Sequence, residues 1–291
     1  MKIIDTTTYF EEKMMMEIRF NILNDYVDYF IVSESTFTHT GRKKKINFNP
    51  SDYPKFKNKI IHLVLDKEPE NIIKIDNNDY LNIRNNSINR ILHQRNFIQD
   101  SLKNFNQDDY IIHSDNDEIP NLKDIDFNKN KNDIIIFKQK LFYFKFNLSL
   151  PNVSWFGSKA CKIKNLKTIS WLRNIKNKKY NYFRIDTLFS KNKYKNVKLV
   201  DNGGWHFSNL KTADELERKY LNDENYADYI SQNYSIDKIK DDLNNKTIGY
   251  NHSAKSGSEK RFSKTKLSNI NEDDLPNYLR NNKEKYREWF D

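Results

Sequence analysis

Three carboxylates follow a short apolar run in residues 109–120, whose sequence is DYIIHSDNDEIP. The run 110–113 predicts a buried strand, which cannot continue through Asp115, Asp117 and Glu118 unless something offsets their charge. We therefore expect the strand to reach a sheet edge and to release these acids into a crevice, because ligands of open α/β sheets bind outside the carboxyl ends of strands. Oxygen ligands two residues apart suit magnesium or manganese bridged to substrate phosphates. The segment predicts a metal–diphosphate site.

Two other interpretations of the acidic segment are available. An Asp-x-Asp pair by itself is more often part of a solvated loop, although the strand before the pair and Pro120 after it favour a functional site. A calcium EF-hand is excluded, because counting from Asp115 its fifth and sixth positions hold Ile119 and Pro120, where an oxygen ligand and a glycine are required.

Composition allows one large domain or two small ones, with ample residues for a core. The chain has 291 residues, including 17 Tyr and 19 Phe, so its low mean hydropathy reflects a polar surface rather than disorder. Its formal charge of +10 suits nucleic acid, an anionic membrane or phosphorylated substrates as partners. Solubility and an AT-rich genome would explain the charge equally well, and no Lys/Arg-dense arm indicates a nucleic-acid motif.

The single cysteine, Cys161, excludes an intrachain disulfide. Together with the absence of a recognisable signal peptide, this predicts a reducing compartment and a cytoplasmic protein. No run of apolar residues is long enough for a transmembrane helix.

The order of apolar runs and amphipathic stretches predicts a doubly wound α/β fold. Neither a Gly-x-Gly-x-x-Gly motif nor a P-loop is present, which argues against dehydrogenase-type and P-loop proteins. Polar turns are expected at residues 6–8 and 151–157, and a capping box at 212–215. The expected strands are 2–5, 27–33, 60–65, 109–113, 133–137, 141–146, 158–163 and 197–200, and the expected helices are 10–23, 81–102 and 275–290.

Three further features could carry function. Arg95 falls on the apolar stripe of helix 81–102, where it either extends to the surface or aims its guanidinium at phosphates or at the acids. Trp155 could stack on a sugar or pack in the core. Two glycines precede Trp205 and His206, which indicates a backbone bend or close approach to a ligand.

Several segments together resemble glycosyltransferase family 17, whose best-known members add the bisecting N-acetylglucosamine of N-glycans. The similarity covers most of the chain and is weakest at 165–195 and 222–270. The matching segments are KIID at 2–5, EIR at 17–19, VDYFIVSE at 27–34, THTG at 38–41, QRN at 94–96, SDNDEIP at 114–120, GWHFS at 204–208, and LP at 275–276 with Tyr278.

The resemblance implies a GT-A type fold, with a mixed, mostly parallel sheet flanked by helices. It also implies a nucleotide-sugar donor, a divalent metal and an inverting reaction. By matching position, Asp115 and Asp117 would hold the metal on the donor diphosphate, and His206 would complete the shell or serve as a structural histidine. Uridine diphosphate is the implied carrier, N-acetylglucosamine or another hexose the implied sugar, and a glycan or polysaccharide the implied acceptor.

The resemblance also places the donor. Glu34 and the turn containing Thr6 and Thr7 would lie near the nucleoside, and Arg95 and Asn96 beside the phosphates. The polar, basic segment 251–267 is either disordered or a lid whose Lys260 and Arg261 fold over the diphosphate.

Acceptor binding is assigned to Trp155 and Trp205, and the catalytic base to Asp214 first and Glu118 second. The chain is expected to form a single GT-A-like domain. Its nucleotide-binding half would be 1–120, its acceptor-side half 121–250, and its basic loop and final helix 251–291.

Three functional hypotheses follow from the sequence. The first is a metal-dependent glycosyltransferase that acts on a glycan or polysaccharide. The second is the same chemistry on modified, phage-type DNA, which strongly salt-dependent DNA binding would support. The third is a non-enzymatic carbohydrate-binding module with a structural cation.

Overall fold

A computed structural model of the chain describes residues 1–75, 79–181, 183–249 and 265–291. The strands in this part of the chain are β1 (Ile3–Tyr9), β2 (Tyr29–Ser35), β3 (Ile60–Leu65), β4 (Tyr110–His113), β5 (Glu118–Pro120), β6 (Ile134–Phe137), β7 (Gln139–Tyr143), β8 (Leu148–Trp155), β9 (Lys159–Lys162), β10 (Val197–Val200), β11 (Gly204–Ser208), β12 (Thr247–Ile248), β13 (Thr265–Lys266) and β14 (Ser268–Asn269). The α-helices are α1 (Lys13–Leu23), α2 (Tyr80–Phe97), α3 (Ile169–Asn174), α4 (Ala213–Tyr220), α5 (Tyr226–Ser231), α6 (Ile236–Asn245) and α7 (Asn277–Asn281). Short 3-10 helices cover Pro50–Asp52, Lys57–Lys59, Ile98–Asn104, Ile163–Asn165, Ile185–Thr187, Glu272–Asp274 and Lys283–Trp289.

A seven-stranded sheet with the order β10-β6-β9-β4-β1-β2-β3 forms the centre of the fold. Its neighbours are parallel except where β9 pairs with β4 and with β6. Successive residues of a strand face opposite sides, so Ile112 packs in the same core as α1, and Ile111 packs in the core that contains α3. The mixed, mostly parallel sheet with flanking helices expected from the sequence is confirmed.

A second sheet, with the order β14-β8-β7-β11-β5, begins where the acidic segment ends. Its strand β5 contains Glu118, one of the three acids expected in a crevice, and the side chain of Glu118 is fully buried. Antiparallel pairing of β11 with β5 sets His206 opposite Glu118. Gly204 makes this possible, because its φ is +128° and a Cβ there would lie 2.1 Å from the carbonyl oxygen of Ile119. The close approach that the sequence predicted at this glycine is therefore an approach to the backbone of Ile119.

The turn predicted at residues 6–8 is wrong. Thr6 and Thr7 lie inside β1, where both are buried and their backbone pairs with β2. Threonine is β-branched and suits a strand that is paired on both sides, and β4 pairs with β1 as far as Thr6. Strand β2 likewise runs two residues beyond its predicted end, so Glu34 is part of the strand and is completely buried.

The turn predicted at residues 151–157 is also wrong. Pro151 lies within β8, which pairs with β7, whereas the following strand β9 joins the large sheet. The register of β7 and β8 shifts between Lys140 and Phe142, and an irregularity of this kind accommodates a proline, which cannot donate to the ladder. The final helix is shorter than predicted, since α7 ends at Asn281 and a 3-10 helix follows.

The remaining helix predictions agree with the structure within a few residues. Helix α1 begins three residues later than expected, and α2 continues as a 3-10 helix after Phe97. The capping box is confirmed, because Thr212 and Glu215 each accept a hydrogen bond from the other residue's backbone N–H. Within the described ranges, no helix is long and apolar enough to cross a membrane.

One buried ion pair attaches α1 to the central sheet. Arg19 donates through Nε and Nη2 to the carboxylate of Asp5 in β1, at 2.7 and 2.6 Å, and both side chains are almost completely buried. Its Nη1 donates to the backbone carbonyl of Glu118 at 2.5 Å. A single guanidinium thus joins α1, β1 and β5.

Replacing Arg19 by Met is expected to lower the free energy of unfolding by about 3–5 kcal/mol, because Asp5 would stay buried without its partner. Chemical denaturation measures the loss. Lys13→Met is the matched control on the same helix, since Lys13 is exposed in its ion pair with Asp52 and should cost less than about 1 kcal/mol. Equal losses in the two variants would contradict this account of the ion pair.

Candidate active site

A cavity of about 220 Å³ lies where the chain leaves β4. Its lining includes Arg95 from α2, Asp115 and Asp117 from the acidic turn, Trp155 from β8 and His206 from β11. These residues are far apart in the sequence and were each proposed as site residues, and the fold brings all five of them to one cavity. Glu118 also lines it.

Two arginines hold the carboxylate of Asp115. Arg95 Nη2 donates to Oδ1 at 2.6 Å, and Arg173 donates to Oδ2 through Nη2 at 2.7 Å and Nε at 3.2 Å. Burial favours the neutral acid, but the charges of Arg173 and Arg95 outweigh it and hold the pKa of Asp115 well below its usual range. The position of Arg95 on an apolar helix stripe is explained by this contact with the acidic cluster.

Hydrogen bonds occupy both carboxylate oxygens of Glu118. Trp155 Nε1 and Arg173 Nη2 donate to Oε1 at 2.5 and 2.8 Å, and the backbone N–H of Asp115 donates to Oε2 at 3.0 Å. Gly157 leaves the space for this carboxylate, because a Cβ at that position would lie 1.9 Å from it. Glu118 closes the acidic turn and anchors Trp155, which makes it a poor acceptor for a substrate proton.

Asp117 and His206 form a second pair. Asp117 Oδ1 lies 3.3 Å from His206 Nε2, and the imidazole packs against the Trp155 ring with centroids 4.7 Å apart. Burial lowers the pKa of His206, but the charge of Asp117 outweighs it and leaves the pKa raised. His206 Nδ1 is buried and has no hydrogen-bond partner among the described residues.

Asp117 and His206 could hold a hard divalent cation as two of its ligands. Their 3.3 Å separation is near the spacing of about 3 Å between neighbouring ligands of an octahedral ion with bonds of about 2.1 Å. Both oxygens of Asp115 bind guanidinium groups instead, and the described residues contain no metal-binding cluster of three or more His, Cys, Asp or Glu side chains. Magnesium often takes only one or two carboxylates and completes its shell with substrate phosphates and water. The pair therefore fits a cation that is shared with a bound diphosphate.

Three residues predicted to bind the donor make internal contacts outside the cavity lining. Thr6 Oγ1 donates to the carbonyl of Ile112 at 3.0 Å. Asn96 Oδ1 accepts from the backbone N–H of Ser170 at 2.9 Å. Thr7 is buried in β1, and its neighbour Thr8 is the threonine that lines the cavity.

Glu34 is also outside the lining and holds a loop. Its carboxylate accepts from Lys44 Nζ at 2.5 Å and from the backbone N–H groups of Asn47 and Phe48 at 2.8 and 3.0 Å. Burial favours its neutral form, but hydrogen bonds from His62, Lys44 and the loop backbone outweigh it and lower the pKa of Glu34. These contacts account for a buried acid in β2 without any ligand.

Two further predicted residues also lie outside the cavity. Asp214 is exposed in the first turn of α4, and Trp205 faces away from His206, since adjacent strand residues point to opposite sides. Trp205 Nε1 donates to the carbonyl of Asp274 at 2.7 Å and lines a separate cavity of about 450 Å³. Lys260 and Arg261 lie outside the described residues.

Sequence reasoning missed Arg173 and Asp223. Arg173 lies in the last turn of a short helix rich in apolar residues, ISWLRN, which is the same signal that marked Arg95. Asp223 is buried in the cavity lining and accepts from the backbone N–H and Nδ2 of Asn225 at 2.7 and 3.3 Å. Burial, with the neighbouring charge of Glu224, raises the pKa of Asp223 to about 7. No pattern in the surrounding sequence NDEN distinguishes this acid from a solvated one.

Comparisons with known proteins agree with the resemblance noted in the sequence. A family model described as glycosyltransferase family 17 matches residues 1–289, and no curated protein is matched. A crystal structure of HddC from Yersinia pseudotuberculosis is similar at 10% identity and a TM-score of 0.32, covering 69% of this chain and 90% of that chain. The structure of that protein complexed with GMP-PN gives 10% identity, the same coverage and a TM-score of 0.30. Likenesses this distant say nothing about the site.

Replacing Arg173 by Gln is expected to lower the free energy of unfolding by about 2–4 kcal/mol, because Asp115 and Glu118 would each lose a charged donor. Thermal and chemical denaturation measure the change. Arg280→Gln, which breaks an exposed ion pair with Asp273, is the control and should cost less than about 1 kcal/mol. An Arg173→Gln protein as stable as the wild type would contradict the proposed role of Arg173 in holding Asp115 and Glu118.

Proposed function

The chain belongs to glycosyltransferase family 17 and is a glycosyltransferase, and from this we propose that it is a metal-dependent, inverting enzyme of GT-A type. Its donor is a nucleoside-diphosphate sugar, with uridine diphosphate as the carrier and N-acetylglucosamine or another hexose as the sugar. Its acceptor is a glycan or polysaccharide. The observation that carries the proposal is the convergence of Asp117, His206 and Arg95 on one cavity at the end of β4, with Arg173 bound to the Asp115 carboxylate that lines it.

The charge of the cavity supports metal dependence. Six carboxylates contribute to its lining, whereas Arg95 and Lys219 are the only Lys or Arg side chains among the described residues that do so. A diphosphate entering this cavity would meet an excess of negative charge unless a cation came with it. Manganese or magnesium on Asp117 and His206 would act as a Lewis acid for the leaving diphosphate.

The arginines supply the fixed part of the charge stabilisation. Asp115 and Glu118 hold Arg173 in place, and Asp115 also holds Arg95. Pre-oriented cations stabilise developing negative charge without reorganising during the reaction. Asp115 was predicted as a metal ligand; we propose that it orients the two guanidinium groups, and that it reaches the cation only where one of them turns to a phosphate.

Asp223 is the proposed catalytic base, in place of Asp214 and Glu118. It lies in the same cavity as Asp117, and its raised pKa makes it a better proton acceptor than an ordinary aspartate. In the transfer, Asp223 takes the proton of the acceptor hydroxyl as that oxygen bonds to the anomeric carbon. The bond from the anomeric carbon to the phosphate oxygen breaks, and the nucleoside diphosphate leaves with the electron pair.

Asp117→Asn is expected to reduce release of nucleoside diphosphate by about 100-fold or more, because it weakens a ligand of the cation. The melting temperature of the metal-free protein should stay nearly unchanged, since Asn can still contact His206, while stabilisation by added manganese should disappear. Asp124→Asn, at an exposed position in the neighbouring loop, is the control. Full turnover in Asp117→Asn would contradict the metal assignment.

Asp223→Asn is expected to lower turnover by about 100- to 10,000-fold. In the wild type, turnover should rise with pH through about 7, because the base works only when deprotonated, and the variant should lack this rise. Glu224→Gln should keep activity but move the midpoint to lower pH, since it removes the neighbouring charge. An unchanged pH profile in both variants would refute the assignment.

The same substitution gives a stability readout. The pKa of Asp223 is raised in the folded state. Its contribution to the free energy of unfolding is therefore fully present below the pKa that Asp223 has in the unfolded chain, and it is lost as pH rises through about 7. Asp223→Asn should therefore be more stable than the wild type above pH 7, in denaturation experiments, and the difference should shrink as pH falls. A difference independent of pH would contradict the raised pKa.

A further inference from the structure

Four large apolar side chains project into solvent from the short segment 183–189. Phe183 is 90% exposed, Ile185 69%, Leu188 72% and Phe189 86%. Among the described residues, the next most exposed large apolar side chain outside this segment, apart from Leu81 at 69%, is Met1 at 52%. Single exposed apolar residues are ordinary, but a contiguous group indicates a binding surface.

We propose that this apolar turn, residues 183–189, docks the enzyme on an anionic membrane surface. The apolar side chains would enter the boundary between headgroups and acyl chains, and the surrounding lysines would bind lipid phosphates.

The charge around the turn selects this partner. Residues 176–198 contain eight Lys or Arg and a single acid, Asp186. Lys178, Lys179 and Lys191 are exposed. A second copy of the same surface would bring like charges together, whereas a surface of anionic headgroups attracts each nearby lysine.

The apolar turn is held in shape by its own ion pairs. Arg184 donates through Nε and Nη2 to Asp186 at 2.7 and 2.9 Å, and Lys193 Nζ donates to the same carboxylate at 2.7 Å. The backbone N–H of Lys176 donates to the carbonyl of Asn192 at 2.8 Å, which closes the base of the loop. The one acid of the region is thus neutralised, and the apolar side chains stay outside without a core to pack in.

The loop that carries the apolar turn follows a helix that contacts the proposed active site. Helix α3, which supplies Arg173 to Asp115 and Glu118, ends at Asn174, shortly before the loop begins. A docked enzyme would therefore hold the acidic turn that Arg173 contacts near an acceptor carried on a lipid. This consequence rests on the proposed function, and the docking itself does not.

The test is co-sedimentation of the full chain with vesicles of phosphatidylcholine plus phosphatidylglycerol, and with phosphatidylcholine alone. The wild type should pellet with the anionic vesicles, and more weakly as salt rises, because surface charges are screened. Phe183→Ser and Phe189→Ser should each weaken binding about tenfold. Their melting temperatures should match the wild type, because both side chains are exposed.

Leu81→Ser is the control, since Leu81 is also highly exposed, at 69%, but lies at the start of α2, and it should bind vesicles like the wild type. Equal binding to neutral and anionic vesicles, or unchanged binding in Phe183→Ser/Phe189→Ser, would overturn the proposal. Analytical ultracentrifugation provides the other decisive result. A wild-type dimer that becomes a monomer in the double variant would assign the turn to a second copy of the chain instead.

Discussion

Arginine side chains from three helices converge on the acidic turn that follows β4. Arg19 of α1 binds its backbone, Arg95 of α2 binds Asp115, and Arg173 of α3 binds both Asp115 and Glu118. A turn with three carboxylates could not be buried at the junction of two sheets without such partners. These contacts attach α1, α2 and α3 to the acidic turn, and Arg95 also lines the cavity beside it.

The second sheet depends on the same turn. Its edge strand β5 begins at Glu118, and β11 pairs with it so that His206 reaches Asp117 from a segment almost ninety residues later. Trp155 at the end of β8 then bonds to Glu118 and packs on His206. Moving the carboxylate of Glu118 would therefore disturb Trp155 and Arg173 together, and with them the pair that is proposed to hold the cation.

The sequence predicted the central sheet because its strands are continuous apolar runs, as buried parallel strands should be. It did not place Thr6 and Thr7 in β1, because the polarity of three successive threonines favours a turn, although threonine is β-branched and pairing with β2 extends the strand through them. Pro151 led to the wrong prediction of a turn at residues 151–157. A proline usually ends a central strand, but it is tolerated where the ladder is irregular. These outcomes are set by tertiary pairing rather than by local pattern.

The candidate site likewise contains residues that local pattern could identify and residues whose roles depend on tertiary contacts. Asp115, Asp117 and Arg95 could be identified because charged residues interrupt an apolar pattern, and His206 and Trp155 entered through family resemblance and composition of their segments. Arg173 interrupts an apolar helical segment as Arg95 does but was not recognised, and its role arises from contacts with two distant carboxylates. Asp223 had no such signal, because its role arises from burial beside Glu224. Glu34, which ends an apolar run just as the acidic segment does, is instead satisfied by a backbone loop.

The most direct test of the account is the release of nucleoside diphosphate from a panel of nucleotide sugars by the purified wild-type protein. The reaction is run with manganese, with magnesium and with a chelator, and donor-induced thermal shifts are measured in parallel. The account predicts slow release from one donor that requires the cation and stops with the chelator. The absence of release from every donor, together with the absence of any donor-induced thermal shift, would contradict it.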